Sequence, residues 1–490
     1  MRLAAMTCGP AEVTESYLKY SKKDEAFVFP GVQDEFVVLP NSSLKWITNQ
    51  SDNVLSASAS QAKNLEADWT IWGNETLNKE RIVHQALVVR DLTRSIGYLV
   101  PQVMEEIGVA FDEFWGMDTE NWTEVNVFET TKKVVARSVN RTFVGFPLCR
   151  NDEYLYYAGQ FASQVPLTAA LIKLVPNFLR SIVPYALILP LKYQFYRCRR
   201  FLLPLIKERK AQIAARARGE EVEDDPRDFI TWLLRDAEEQ NDAVEASPRR
   251  LCQRLMIINF AAIHTTTFGG TNGILDVYSA DPTFSAAEGI REEVERVLAE
   301  ENGVWSKKAL QKLVRTDSAV RESLRVSTFM THGVDRLVLP KDGITLESGM
   351  HIPQGATVGT MVWPVHHDEA YYPRASTYDP FRFSRDRERA ATGCPGKGDE
   401  STSTNSSTTS TKGLGVTIAT TNDHFLTFSH GKHACPGRFF AAAELKLMLA
   451  YIVTHYDVEP IVERPHNQWI AGSVIPPTKA TIRIRRRRGT

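Results

Sequence analysis

The stretch that most limits how this chain can fold begins at Ser247-Pro248. Serine can cap a helix by accepting a backbone N–H. Proline suits the first helical positions, where its missing N–H would have no partner anyway. No further proline occurs before Ser279, so a helix of 31 residues is predicted. At 1.5 Å per residue it would be roughly 46 Å long, enough to cross the whole molecule. Gly269, Gly270 and Gly273 are expected to weaken its second half. Its centre reads Ala261-Ala262-Ile263-His264-Thr265-Thr266-Thr267. The alanines leave room for a flat ligand, and the threonine hydroxyls can bond back to the helix or out to a small molecule.

A second stretch supplies what such a ligand needs. Phe428-Ser-His-Gly431-Lys-His433-Ala-Cys435-Pro-Gly437-Arg438 leads into an apolar run, Arg438 to Tyr451, that reads as a helix. A cysteine serves a metal as its thiolate, and haem iron accepts a single thiolate as axial ligand. Gly431 and Gly437 can take backbone angles closed to other residues and let a flat cofactor approach. Pro436 has no N–H, and the donors after it can point at the sulfur. The positive end of the following helix favours a thiolate there. The plain alternative is a structural cysteine on a loop before a helix. The spacing F-x-x-G-x-x-x-C-x-G resembles the haem-binding signature of the cytochrome P450 family at every fixed position. The wording H-A-C-P-G-R-F-F-A is similar to the fungal microsomal, membrane-bound branch.

That resemblance implies a mainly α fold with a small β-rich part, built as one catalytic domain over residues 1–490. Haem b would lie between the long helix and the cysteine loop. Cys435 would be its iron ligand, with Phe428, Gly431, Gly437 and Ala261 around it. The long helix resembles the family's oxygen-binding motif, A/G-G-x-D/E-T-T/S. Thr265 then takes the place of the threonine that guides protons to dioxygen, and His264 stands where an acid is usual. An imidazole can relay protons near neutral pH, or contact substrate, or be a satisfied core histidine. Glu322 and Arg325 share a helical face in Val320-Arg-Glu-Ser-Leu-Arg325. The pair resembles the family's buried E-x-x-R, with Arg382 in Pro380-Phe-Arg-Phe383 as third partner. His433, Arg336 and His84 are the expected partners of the haem propionates. His366 and His367 are expected to be structural.

The net charge of −1 provides no global field for nucleic acid. The basic run Arg483 to Arg488 reads as a solvated tail. The six cysteines form no C-x-x-C pair, which fits a reducing compartment. Cys394-Pro-Gly396 imitates half of the haem motif but lacks its phenylalanine and first glycine. It lies in the segment 385–421, whose Ser/Thr-rich middle is too polar to fold by burial and reads as a surface insertion. Residues 167–191 are apolar but cut by Pro166, Pro176, Pro184 and Pro190, so they read as interrupted helix and not as a membrane span. In the family this region is a lid that dips into the bilayer, and Lys192 to Arg200 could favour such contact. The usual N-terminal anchor is expected to be missing.

The expected activity is insertion of one oxygen atom from O2 into an apolar substrate, with a fungal secondary metabolite such as a terpenoid in view. Electrons would come from NADPH through a separate reductase, because no flavin or nucleotide fingerprint is visible, and Lys432 is a candidate docking point. The expected location is the cytoplasmic face of the endoplasmic reticulum membrane. A haem-thiolate isomerase or ring-coupling enzyme and a non-catalytic haem-binding protein are the alternatives.

Overall fold

The serine-proline signal starts the expected helix. The Ser247 hydroxyl accepts from the Arg250 N–H at 3.4 Å, and the helix runs Pro248–Tyr278. The structure, a computed structural model, describes residues 9–29, 36–77, 81–222, 226–391, 416–470 and 472–489. The helices Val127–Phe143, Asp152–Leu174, Val314–Val326 and Arg438–His455 pack most extensively on this central helix. Gly269 and Gly270 mark close packing, whereas an added Cβ on Gly273 would meet nothing within 4 Å. A Cβ on Gly270 would lie 3.0 Å from Thr131 and 3.2 Å from Met448, and one on Gly269 would lie 3.2 Å from Leu324. One large apolar core surrounds the helix.

Beyond its first turn the central helix is buried almost throughout. Its middle is the exception: Ala261 and Thr265 are exposed, and Phe260, Ala262, His264 and Phe268 are partly so. Residues 261, 265 and 268 follow the i, i+4, i+7 spacing of one helical face. A helix with a solvent-accessible face only in mid-span borders an internal recess.

The β-rich part is a five-stranded sheet ordered Phe27–Phe29, Phe36–Val38, Thr357–Met361, His332–Val338 and Leu55–Ser56. Only the pairing of Phe36–Val38 with Thr357–Met361 is parallel. The strand His332–Val338 carries a bulge between Gly333 and Arg336, with Val334 at φ 57°. A β-branched residue there is strained, and bulges of this kind re-aim side chains beside functional sites. Opposite it, a Cβ on Gly359 would fall 2.7 Å from the Gly333 carbonyl, so only glycine fits.

Two expectations need correction. Pro166 does not interrupt its helix, which continues from Asp152 to Leu174. Beyond it the run is interrupted as expected: Pro184 and Pro190 sit in the first turns of the separate helices Val183–Leu187 and Leu189–Ala217. The run Arg483 to Arg488 is not a solvated tail. Thr481–Arg486 is the middle strand of a three-stranded sheet, and acids far away in sequence answer its charges. Arg486 pairs with Asp112, Arg485 and Arg487 with Asp457, Arg483 with Glu459 and Arg488 with Glu120. The two ends of the 385–421 segment are structured: Arg385–Ala391 is a helix, and Ile418 is fully buried with its N–H on Asp317 at 3.0 Å. Cys394 and the Ser/Thr-rich middle lie outside the described residues. Among the described residues, no helix is long and apolar enough to cross a membrane.

Candidate active site

The cysteine loop is folded by its own backbone. The Cys435 N–H donates to the Phe428 carbonyl at 2.8 Å and the Ala434 N–H to that of Gly431 at 3.0 Å. Gly431 has φ 73°, and a Cβ on it would meet Thr48 at 2.8 Å, so glycine is needed twice over. Gly437 is different. Its φ of −81° is open to any residue, and the nearest atom to an added Cβ would be the Cys435 sulfur at 4.0 Å. Glycine there keeps the sulfur uncrowded; it is not required by the backbone. The helix Arg438–His455 follows at once. Cys435 is exposed, whereas Cys149, Cys198 and Cys252 are buried. Burial of its surroundings pushes the Cys435 thiol up. The Gly437 and Arg438 N–H groups and the Arg438 charge pull it back.

A buried ionic network holds this loop. Glu322 and Arg325 are both fully buried and joined by two 2.8 Å bonds, and Arg382 Nε donates to Glu322 Oε1 at 2.8 Å. The Asp379 N–H donates to the same oxygen at 3.2 Å. Arg325 also donates to the carbonyls of His366 and Ala375. The structure thus brings Glu322, Arg325 and Arg382 together. It adds two ties that sequence reasoning missed. His366 Nε2 accepts from the Leu426 N–H at 2.9 Å, two residues before Phe428. Arg321 donates to the carbonyls of Thr417 and Thr420 and stacks on Phe425 at 3.6 Å. Neither tie has a sequence signal, because each depends on chain returning from about 100 residues away or 60.

His433 bonds the Asp52 carboxylate, and Arg336 lies within reach of its charge. His433 Nε2 lies 2.7 Å from Asp52 Oδ1, and Lys432 Nζ is 3.1 Å from the same oxygen. Burial would raise the Asp52 carboxyl, but the hydrogen bonds and charges of His433 and Lys432 outweigh it and hold it low. Arg336 is 2% exposed. Burial lowers its pKa, against the charges of Asp335 and Asp52. Its Nη1 donates to the Asp335 carbonyl at 3.0 Å, while Nη2 is buried with no partner. His84 is placed elsewhere. It is buried against Arg254 Nη1 at 2.9 Å, 11 residues or roughly 16 Å along the helix from Thr265. Burial and Arg254 push it down to about 3, so it is neutral. Arg254, already fully paired with Glu245, explains why a histidine is buried there.

In the middle of the central helix, Thr265 Oγ1 donates to the Ala261 carbonyl at 2.8 Å. His264 does not titrate near neutrality as a relay would. Burial and the Lys132 charge push it down to about 4, only partly offset by the backbone of Ala162. Phe268 lies beside it at 6.3 Å and leads to Phe329 at 6.2 Å.

A family model described as cytochrome P450 matches residues 75–484. The chain belongs to the cytochrome P450 family. It is 32% identical to the cytochrome P450 monooxygenase gloP of Glarea lozoyensis, over 100% of this chain and 89% of that protein. It is 30% identical to astC of Aspergillus terreus, over 96% of this chain and 86% of that protein. Cytochrome P450 monooxygenase 71 of Postia placenta is 35% identical, over 83% of this chain and 76% of that protein.

The cofactor this P450 family implies is haem, and the residues present fit it. The sulfur is uncrowded and faced by two N–H groups. The Arg336 Nη2 is an orphaned buried donor, and the basic cluster around it already accepts one carboxylate. Among the described residues no group of three or more His, Cys, Asp or Glu could hold a separate metal ion.

Proposed function

We propose that this cytochrome P450 is a monooxygenase that inserts one oxygen atom from O2 into an apolar organic substrate of fungal secondary metabolism, of terpenoid type. One observation carries the reading. The accessible Cys435 heads a helix that packs on the central helix, whose mid-span is open at Ala261 and Thr265. When bound, haem supplies an iron centre whose thiolate ligand favours O–O bond cleavage.

The protein's own residues do the rest. Cys435 is the thiolate, tuned by the N–H groups of Gly437 and Arg438. Arg336 and His433 would hold the propionates through charge-assisted hydrogen bonds. The Thr265 hydroxyl, anchored on the Ala261 carbonyl, holds a proton at the open face of the helix. Glu322, Arg325 and Arg382 fix the loop without touching substrate. The apolar recess favours substrate by burial. Electrons from NADPH reach the enzyme through a P450 reductase, with Lys432 near its docking face. The exposed side chains Phe178, Ile182 and Leu189 (79%, 69% and 59%) are peripheral membrane contacts at the cytoplasmic face of the endoplasmic reticulum.

The test is turnover with reductase and NADPH against a panel of polycyclic terpenoids. A product one oxygen atom heavier, labelled from ¹⁸O2, supports the reading. An isomer of unchanged mass supports the isomerase alternative, and haem loading without turnover supports a carrier.

A further inference from the structure

Pro166 lies inside the helix Asp152–Leu174. Proline has no N–H, so the carbonyl four residues earlier, on Ala162, loses its intrahelical donor. Ala162 is fully buried, so water cannot readily take that place. A buried carbonyl without a partner is costly. This helix packs on the central helix, and the side chain that meets the Ala162 backbone is His264. His264 Nε2 is in turn buried, with no partner inside ordinary hydrogen-bond geometry. The His264 ring and the Ala162 backbone thus lie within interaction range across the two packed helices, each with an unmet hydrogen-bonding need. The ring is kept neutral by burial and by Lys132, so one of its nitrogens carries the N–H that the carbonyl lacks.

We propose that His264 is a positioning residue that clasps the helix Asp152–Leu174 to the middle of the central helix, its imidazole N–H serving the carbonyl that Pro166 leaves open. The clasp lies next to Thr265, so it sets how closely this helix covers the open face at residues 261–268. His264 then acts through the lid and not on the reacting atoms. The inference rests on the functional reading only in that its probes bind haem iron.

The test uses haem-loaded protein and two iron-binding probes, carbon monoxide as a small one and clotrimazole as a bulky one. Association rates are measured by stopped flow for the wild type, His264→Leu, Pro166→Ala and the double variant. Pro166→Ala gives Ala162 an intrahelical donor and removes the need for the clasp without touching His264. Each single variant should speed clotrimazole association about fivefold, the worth of one net hydrogen bond, and leave carbon monoxide within about twofold. The double variant should be no faster than either single one, because all three lose the same bond. Independent multiplication of the two effects, or unchanged clotrimazole rates, would overturn the clasp. If His264→Leu fails to fold, His264→Gln, which keeps a donor, should lie nearer the wild type than Pro166→Ala does; the reverse order also overturns it. Failure of the wild type to give a thiolate-type carbon monoxide band would instead refute the functional reading.

Discussion

Glu322 accepts hydrogen bonds from Arg325, Arg382 and the Asp379 backbone, all in the core behind the cysteine loop. Some distance away, the mid-span of the central helix offers an exposed Thr265 and a His264 nitrogen with no properly formed bond. The first region is closed and over-determined. The second is open and partly unsatisfied. The loop must present one sulfur in one geometry for every turnover, so its frame is buried and ionic. On the proposed function the helix face accepts a substrate and lets it leave, which fits its few polar groups. A buried network is not the most stable way to fill a core, but it penalises any loss of a member severely.

The most direct way to break this contrast is Glu322→Ala. Two buried or half-buried guanidinium groups would then lack their carboxylate, at a cost of about 3–5 kcal/mol. Thermal unfolding with haem retention as readout should show a marginal or unfolded protein. Thr265→Ala belongs to the other region and should leave the unfolding midpoint nearly unchanged. Its product per NADPH consumed should fall by roughly a hundredfold or more, the scale of a misplaced proton.

Glu444 sharpens the comparison from within the closed region. It is fully buried against Ser138, and burial pushes its carboxyl up to about 8. The folded protein therefore holds a proton that the unfolded chain releases near its ordinary value of 4.5. Stability linked to this group falls as pH rises from about 4.5 to about 8 and is flat above that. Glu444→Gln should remove that slope in urea unfolding measured across this range. Arg488→Ala should do least. Its pair with Glu120 is 73% and 64% exposed, and exposed pairs contribute about 0–1 kcal/mol, so the midpoint should hardly move.

The parts of this molecule that could be read from sequence are local. The central helix announces itself through Ser247-Pro248 and an unbroken run. The cysteine loop does so through fixed spacings, and Glu322 and Arg325 through adjacency on a helix. The parts that could not be read need a partner brought by the fold. Asp52 beside His433, and His366 beneath Leu426, are 381 and 60 residues from their partners. The basic C-terminal run was misread because its acids lie as far as 374 residues away. Pro166 was misread for another reason. Its lost hydrogen bond was counted as a break, when a buried helix can keep its course if another group faces the freed carbonyl. His84 was expected beside a haem propionate and is a neutral core residue, because Arg254 already carries the charge at that spot.

The account stands on the bond between Cys435 and haem iron. Its most direct test is the absorption of the dithionite-reduced, carbon monoxide-treated protein, compared with Cys435→Ser. The wild type should show the red-shifted band of a thiolate ligand, and the variant, still folded by circular dichroism, should lose it. A thiolate-type band that persists in Cys435→Ser would contradict the assignment.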